Sequence, residues 1–255
     1  MNYLTASITD IGIKKNTNQD SLTVKVANTP IGKIAFAVIC DGMGGLAKGE
    51  VASASVVNAF SEWFYHDLPE LLEGKLEDYK IRKQWEDIIM KQNESIMSYG
   101  KNNQFSLGTT ITTMLLTPER YYIANVGDTR AYEIKETLNL LTEDQTVVAR
   151  DVKQGFITPA QAEVDPRRSV LLQCVGASNV VFPDMFFGET KKDTVYMLCS
   201  DGFRHEVTPQ EIFETFHPSV LVDSDIMKNN AQYLIEVNKK RQETDNISVV
   251  LVRTF

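Results

Sequence analysis

Short apolar blocks, each about the length of a strand, punctuate the first forty positions. YLTASIT (3–9), SLTVKVA (21–27) and KIAFAVIC (33–40) are β-rich or alternate with period two and predict three strands. NTPIG, with Pro30 and Gly32, supplies the turn between the second and third. The period then changes to that of a helix. One helix is predicted from about Leu46 to Tyr65 and a second from about Asp78 to Tyr99. Along the second, Ile81, Trp85, Ile88, Ile89 and Ile96 keep to one face, the mark of core packing rather than of a cofactor site.

Strands resume at TTITTMLL (109–116), YYIANV (121–126) and RAYEIK (130–135), with Pro118-Glu119 as a hairpin turn. Residues 142–178 are mixed, polar and partly helical. Two strands follow at 180–187 and 194–200, helices at 209–216 and 225–241, and a last strand, ISVVLVR, at 247–253. Strands come in groups and helices in pairs, without βαβα alternation. That order predicts an α+β fold of largely antiparallel sheets with helices on their outer faces. There is no repeat, low-complexity tract or linker, so a single domain over 1–255 is expected.

Composition sharpens this picture. A chain of 255 residues can bury a sizeable core. A formal charge of −8 argues against a nucleic-acid or anionic-membrane surface as the main partner. It also fits carboxylates clustered to await cations. The longest apolar stretches are strand-sized, and MNYLTASITD has neither the basic nor the apolar region of a signal peptide. Cys40, Cys174 and Cys199 show no CxxC spacing and read as small buried hydrophobes of a reducing, cytoplasmic setting.

The candidate chemistry lies in aspartates at strand ends. Asp20 precedes the strand 21–27 and Asp41 follows 33–40; Asp201 follows 194–200 and Asp245 precedes the last strand. Strand ends at one rim of a sheet gather residues distant in sequence. Carboxylates meeting there repel one another unless cations sit between them, and oxygen-only ligation suits Mg²⁺ or Mn²⁺. His66, His205 and His217 lack zinc-ligand spacing. Any one aspartate is also an ordinary strand terminator or cap. Asp41-Gly-Met-Gly-Gly, Asp201-Gly and Asp245-Asn carry neighbours that a cap does not require.

In one order along the chain stand NQD (18–20), DGMGG (41–45), GTT (108–110), VGDTRAY (126–132), LCSDG (198–202) and DNISVVLV (245–252). The set resembles the motifs of the metal-dependent serine/threonine protein phosphatases, the PPM or type-2C family, from about residue 6 to residue 253. The resemblance implies a four-layer α-β-β-α sandwich: two antiparallel sheets face to face, flanked by helix pairs. It implies at least two Mn²⁺ or Mg²⁺ ions, with Asp41 bridging them, the Gly42 carbonyl as a further ligand, and Asp20, Asp201 and Asp245 completing the cluster. Asp128 matches the residue that helps hold a third ion in bacterial members. The implied reaction is direct hydrolysis of phosphoserine or phosphothreonine by a metal-bridging water, with no phosphoenzyme. The implied partners are phosphorylated proteins, made by a serine/threonine kinase, and a monomer is expected. Residues 142–178 correspond to the family's flap, where Gln145 and Asp165 stand in place of common histidines, and Arg167 and Arg168 are candidates for meeting acidic phosphoproteins.

The departures concern the phosphate. In DIGIKKNTN, Lys15 takes the place of the family arginine that grips it, a point charge without the planar fork. Gln19 replaces a common glutamate, and Met43 replaces a histidine frequent in eukaryotic members. Three other readings compete. Gly42-Met-Gly-Gly-Leu-Ala47 also satisfies the dinucleotide fingerprint G-x-G-x-x-A, but Asp41 would face the pyrophosphate and no second strand ends in an acid roughly 20 residues on. A phosphatase-like scaffold without activity should have lost metal aspartates, and the main ones are present. A metal-dependent hydrolase of another phosphoester differs only on the alcohol side of the cleft.

Overall fold

The strand β3 (Gly32–Cys40) shows why the chain stacks in layers. Ile34, Phe36, Val38 and Cys40 face one apolar cluster, while Ala35, Ala37 and Ile39 face another. An antiparallel strand with one wet face would alternate; this one is buried on both, so it reads as a nearly continuous apolar run. In the computed structural model, which describes residues 1–43 and 48–255, β3 pairs with β2 (Ser21–Thr29), and β1 (Tyr3–Asp10) lies in the other sheet.

The remaining elements follow in chain order: α1 (Gly49–Leu72), α2 (Asp78–Asn103), β4 (Ile111–Leu116), β5 (Arg120–Val126), β6 (Arg130–Ile134), β7 (Leu138–Leu140), α3 (Val147–Lys153), α4 (Pro159–Glu163), β8 (Asp184–Glu189), β9 (Thr194–Cys199), α5 (Asp201–Arg204), α6 (Pro209–Phe216), α7 (Ser224–Lys240) and β10 (Ile247–Thr254). One five-stranded sheet runs β2-β3-β4-β5-β8 and the other β1-β10-β9-β6-β7, antiparallel at every pairing. Three apolar clusters hold four layers together. The first joins the β3 sheet to α1 and α2 through Phe36, Phe60, Trp63 and Trp85. The second joins the β10 sheet to α5, α6 and α7 through Phe203, Phe216 and Leu234. The third lies between the sheets, where Ala35, Ala37 and Ala131 permit close approach of Met114, Tyr196 and Leu198. This is the expected α-β-β-α sandwich.

The details depart from the sequence reading in physically clear ways. Helix α1 continues past Tyr65 because Leu68 and Leu72 extend its buried stripe, despite Pro69. The predicted helix start at Leu46 lies outside the described residues. Strand β8 begins at Asp184 instead of Val180, since Pro183 lacks an N–H for the ladder and Val180 and Phe182 are exposed. Thr109 precedes the regular ladder and instead bridges Gly42 on one side and Val175 on the other. The three-residue β7 and the four-residue α5 were not predicted; both are too short to show a period. Helix α6 starts where Thr208 and Glu211 form a reciprocal capping box with Pro209 in the first turn.

Candidate active site

Pairing registers bring the predicted aspartates to one rim. Ser21 pairs with Cys40, so Asp20 and Asp41 sit side by side at one end of the β3 sheet. Cys199 pairs with both Val249 and Arg130, which places Asp201, Asp245 and Asp128 together at the matching end of the other sheet. Asp10 pairs with Ile247, so the loop carrying Lys15 crosses from one sheet to the other at that same rim.

Two glycines let these strand ends approach. A Cβ at Gly42 would fall 2.5 Å from the carbonyl oxygens of Gln19 and Gly49, so only glycine lets the Asp20 and Asp41 segments close on α1. A Cβ at Gly202 would collide with the backbone oxygen of Asn246 and come within 3.2 Å of the Asp245 side chain. Each glycine follows an aspartate because backbone must pass where a side chain would stand. Gly42 thus serves protein packing, and its strand has antiparallel neighbours, which removes the parallel βαβ frame of a dinucleotide site. Gly44, Gly45 and Ala47 of that fingerprint lie outside the described residues.

The backbone of Asp41 is fixed by threonines. Its N–H donates to Thr110 Oγ1 (3.0 Å), and its carbonyl accepts from Thr110 N–H and Thr109 Oγ1, both at 2.9 Å. Asn246 pins the Lys15 loop: its Oδ1 accepts from Gln19 N–H (2.9 Å) and its Nδ2 donates to the carbonyls of Ile11 (2.9 Å) and Thr17 (3.3 Å). Residues 142–178 are tied to the site at both ends. Gln145 N–H donates to the Gly127 carbonyl at 2.9 Å, beside Asp128, and Val175 exchanges backbone bonds of 2.9 Å with Thr109.

The electrostatics are those of crowded acids. Both side-chain oxygens of Asp20 and Oδ1 of Asp201 are buried without a hydrogen-bond partner, although Asp20 is only 7% exposed and Asp201 8%. Burial pushes the Asp20 carboxyl up to about 7, with Asp201 and Asp245 adding to it. Burial, then Asp20, Asp201, Asp128 and Asp245, hold Asp41 well above the usual carboxylate range. Asp128 also rises to about 7, from burial and Asp201 against the pull of Arg204. Among the described residues no three His, Cys, Asp or Glu side chains close into a ready cage for an ion. The orphaned buried oxygens and the mutual repulsion nevertheless fit a divalent cation, whose charge relieves both at once.

Lys15 does not stand free. Its Nζ lies 2.9 Å from Asp245 Oδ1, and although burial opposes its charge, that bond and the charges of Asp245, Asp41 and Asp201 raise its pKa. Of the two arginines at 167 and 168, Arg167 pairs within its own segment, with Asp165 at 2.8 Å and Asp151 at 3.1 Å; Arg168 reaches the Glu163 carbonyl. Cys40 and Cys199 flank the aspartates, and burial pushes both thiols up, consistent with packing. The structure also adds residues that sequence reasoning missed. His205 stands between Asp201 and Glu243, and although burial opposes its charge, those two acids raise its pKa. Arg204 Nη2 donates to the Asp128 carbonyl at 3.2 Å and lies 3.6 Å from Asp144. Their one sequence signal is position: both fall within one turn of Asp201.

Comparison with known proteins agrees with this layout. The sequence profile of protein phosphatase 2C matches residues 13–225. The serine/threonine phosphatase stp of Listeria welshimeri is 30% identical over 249 residues, covering 96% of this chain and 93% of its own. The serine/threonine protein phosphatase PstP of Mycobacterium tuberculosis is 29% identical over 247 residues, 96% of this chain and 44% of that one. Among solved structures, serine/threonine phosphatase Stp1 from Staphylococcus aureus superposes with a TM-score of 0.83 at 26% identity, covering 98% of this chain and 94% of that one. The catalytic domain of PstP in complex with two manganese ions gives 0.75 at 26% identity, covering 98% and 97%. With a profile spanning most of its length and relatives that share nearly all of it, this chain belongs to the protein phosphatase 2C family.

Proposed function

We propose that this chain hydrolyses phosphoserine and phosphothreonine esters of proteins phosphorylated by a serine/threonine kinase, using Mn²⁺ or Mg²⁺ held at the rim. The observation that carries the reading is Asp20: a buried carboxylate with neither oxygen partnered, among acids that raise its pKa. Asp20, Asp41, Asp201 and Asp245 would hold two ions, with the Gly42 carbonyl as a backbone ligand and Asp128 available to a third. The PstP catalytic domain with two manganese ions supports this count. Two such ions acidify a water and neutralise phosphoryl oxygens for in-line displacement.

The chain's own groups do the rest. Threonines 109 and 110 fix the Asp41 backbone, so its carboxylate needs little reorganisation on binding. Lys15 brings a cation to the phosphate side of the rim while its partner Asp245 keeps it oriented. Its ammonium attracts the ester phosphate as a point charge. Met43 offers no proton to the leaving alcohol. Residues 1–255 act as one catalytic domain in this reading, with 142–178 as the flap anchored at Gly127 and Thr109. The test is phosphate release from a phosphothreonine peptide with Mn²⁺, with a chelator added, and with Asp201→Asn. Release only by the metal-loaded wild type supports the reading. Release that survives chelation or the substitution overturns it.

A further inference from the structure

Asp201 and Asp245 belong to different elements, yet one imidazole lies between Asp201 and Glu243, the residue that bonds the Asp245 backbone. His205 follows Asp201 by one helical turn; its Nε2 lies 3.5 Å from Asp201 Oδ2 and its Nδ1 3.3 Å from Glu243 Oε2. Glu243 is buried, and its Oε1 accepts the N–H groups of Thr244 (2.6 Å) and Asp245 (2.8 Å). Glu243 therefore shapes the turn that presents Asp245, and His205 joins that turn to Asp201. The other Asp201 oxygen has no hydrogen-bond partner. Lys15 reaches Asp245 from the solvent side, with both side chains about a third exposed, and constrains it less.

We infer that His205 and Glu243 are positioning residues: together they set the orientation of Asp201 and the spacing between Asp201 and Asp245 for the cations. This rests on the metal-ligand reading above. A carboxylate held by an outer partner reaches the ion already oriented, and loss of such partners costs about 10–100-fold in metal affinity. The backbone of α5 does not depend on the imidazole. Asn238 Nδ2 donates to the Phe203 carbonyl at 2.9 Å, and Phe203 itself is fully buried.

The test uses the full chain with His205→Asn, Glu243→Gln and the double variant. Mn²⁺ binding is measured calorimetrically, and turnover of a phosphothreonine peptide is followed against Mn²⁺ concentration. Each single variant should weaken Mn²⁺ by about 10–100-fold. The double variant should bind about as well as the weaker single, because the two residues act as one unit. Raising Mn²⁺ should restore kcat, which a damaged fold would not allow. Should the histidine variant fail to fold, the nearly isosteric Glu243→Gln carries the same expectation. Unchanged Mn²⁺ affinity in the variants beside a binding wild type overturns the inference and leaves the metal reading intact. Strictly additive losses overturn the shared brace. A wild type that binds no Mn²⁺ removes the metal reading, and the inference with it.

Discussion

The two sheets contribute to the rim on unequal terms. From the β10 sheet, Asp201 and Asp245 arrive accompanied by basic side chains: His205 behind the first and Lys15 beside the second. From the β3 sheet, Asp20 and Asp41 arrive bare. Threonines hold the Asp41 backbone, but no side-chain cation pairs with either carboxylate among the described residues. On the braced half Asp201 and Asp245 each have a basic side chain within 3.5 Å, and Asp128 on the same sheet has the pull of Arg204 against its burial. Those on the bare half have pKa values raised by burial and by each other. Uncompensated charge in a buried place is costly, and it persists where an external ion is meant to supply the balance. The asymmetry shows where the demand for a cation is greatest.

Removing charge from the bare half should have the largest effect. Asp20→Asn should lower phosphopeptide turnover beyond the about 100-fold that marks the upper end for losing an outer partner of a ligand. It should also raise the melting temperature of the metal-free chain, since a repelled buried charge is gone. Next in size is the packing that brings the halves together. Gly42→Ala should destabilise the fold by about 1–3 kcal/mol in denaturant titration, as for other overpacked sites, because two backbone oxygens must move.

A smaller effect is the pH dependence of the metal-free protein. Folded Asp20 and Asp128 have pKa values of about 7, above the unfolded carboxylate value of about 3.9. Between those values the folded chain binds protons that the unfolded chain has released, so stability falls as pH rises. Thermal unfolding without metal should therefore occur at higher temperature at pH 5 than at pH 8, with Mn²⁺ reducing the difference. A flat profile would mean that the rim is less crowded than described. Smallest is Lys15→Arg on the braced half. An arginine can keep the Asp245 pair and add a fork for phosphate, so turnover of small phosphoesters should hold or rise. A large loss would show that Lys15 does not serve the phosphate.

How much of this was legible in the sequence follows from the range of each signal. KIAFAVIC reads as a strand from eight adjacent residues, and the strand-end positions of Asp20, Asp41, Asp201 and Asp245 follow directly from such runs. Their convergence does not; it depends on registers such as Ser21 with Cys40 and Cys199 with Val249. The His205–Glu243 contact was illegible because α5 and the β10 turn meet only in three dimensions. His205 alone looked like a histidine without ligand spacing. The glycines were the subtlest case. In sequence, Gly42 suits a phosphate cradle as well as a metal loop, and only the carbonyls of Gln19 and Gly49 show what occupies the space. Helix α1 was shortened because its last buried residues, Leu68 and Leu72, flank Pro69, which interrupts hydrogen bonding but not the apolar stripe.

The carboxylates of the bare half are kept for cations. A calorimetric Mn²⁺ titration of the wild-type chain beside Asp20→Asn decides this. Saturable binding of at least two ions by the wild type, with loss of an ion or a marked fall in affinity in the variant, is the result predicted. Absence of binding by the wild type, or identical isotherms for the two proteins, would contradict it.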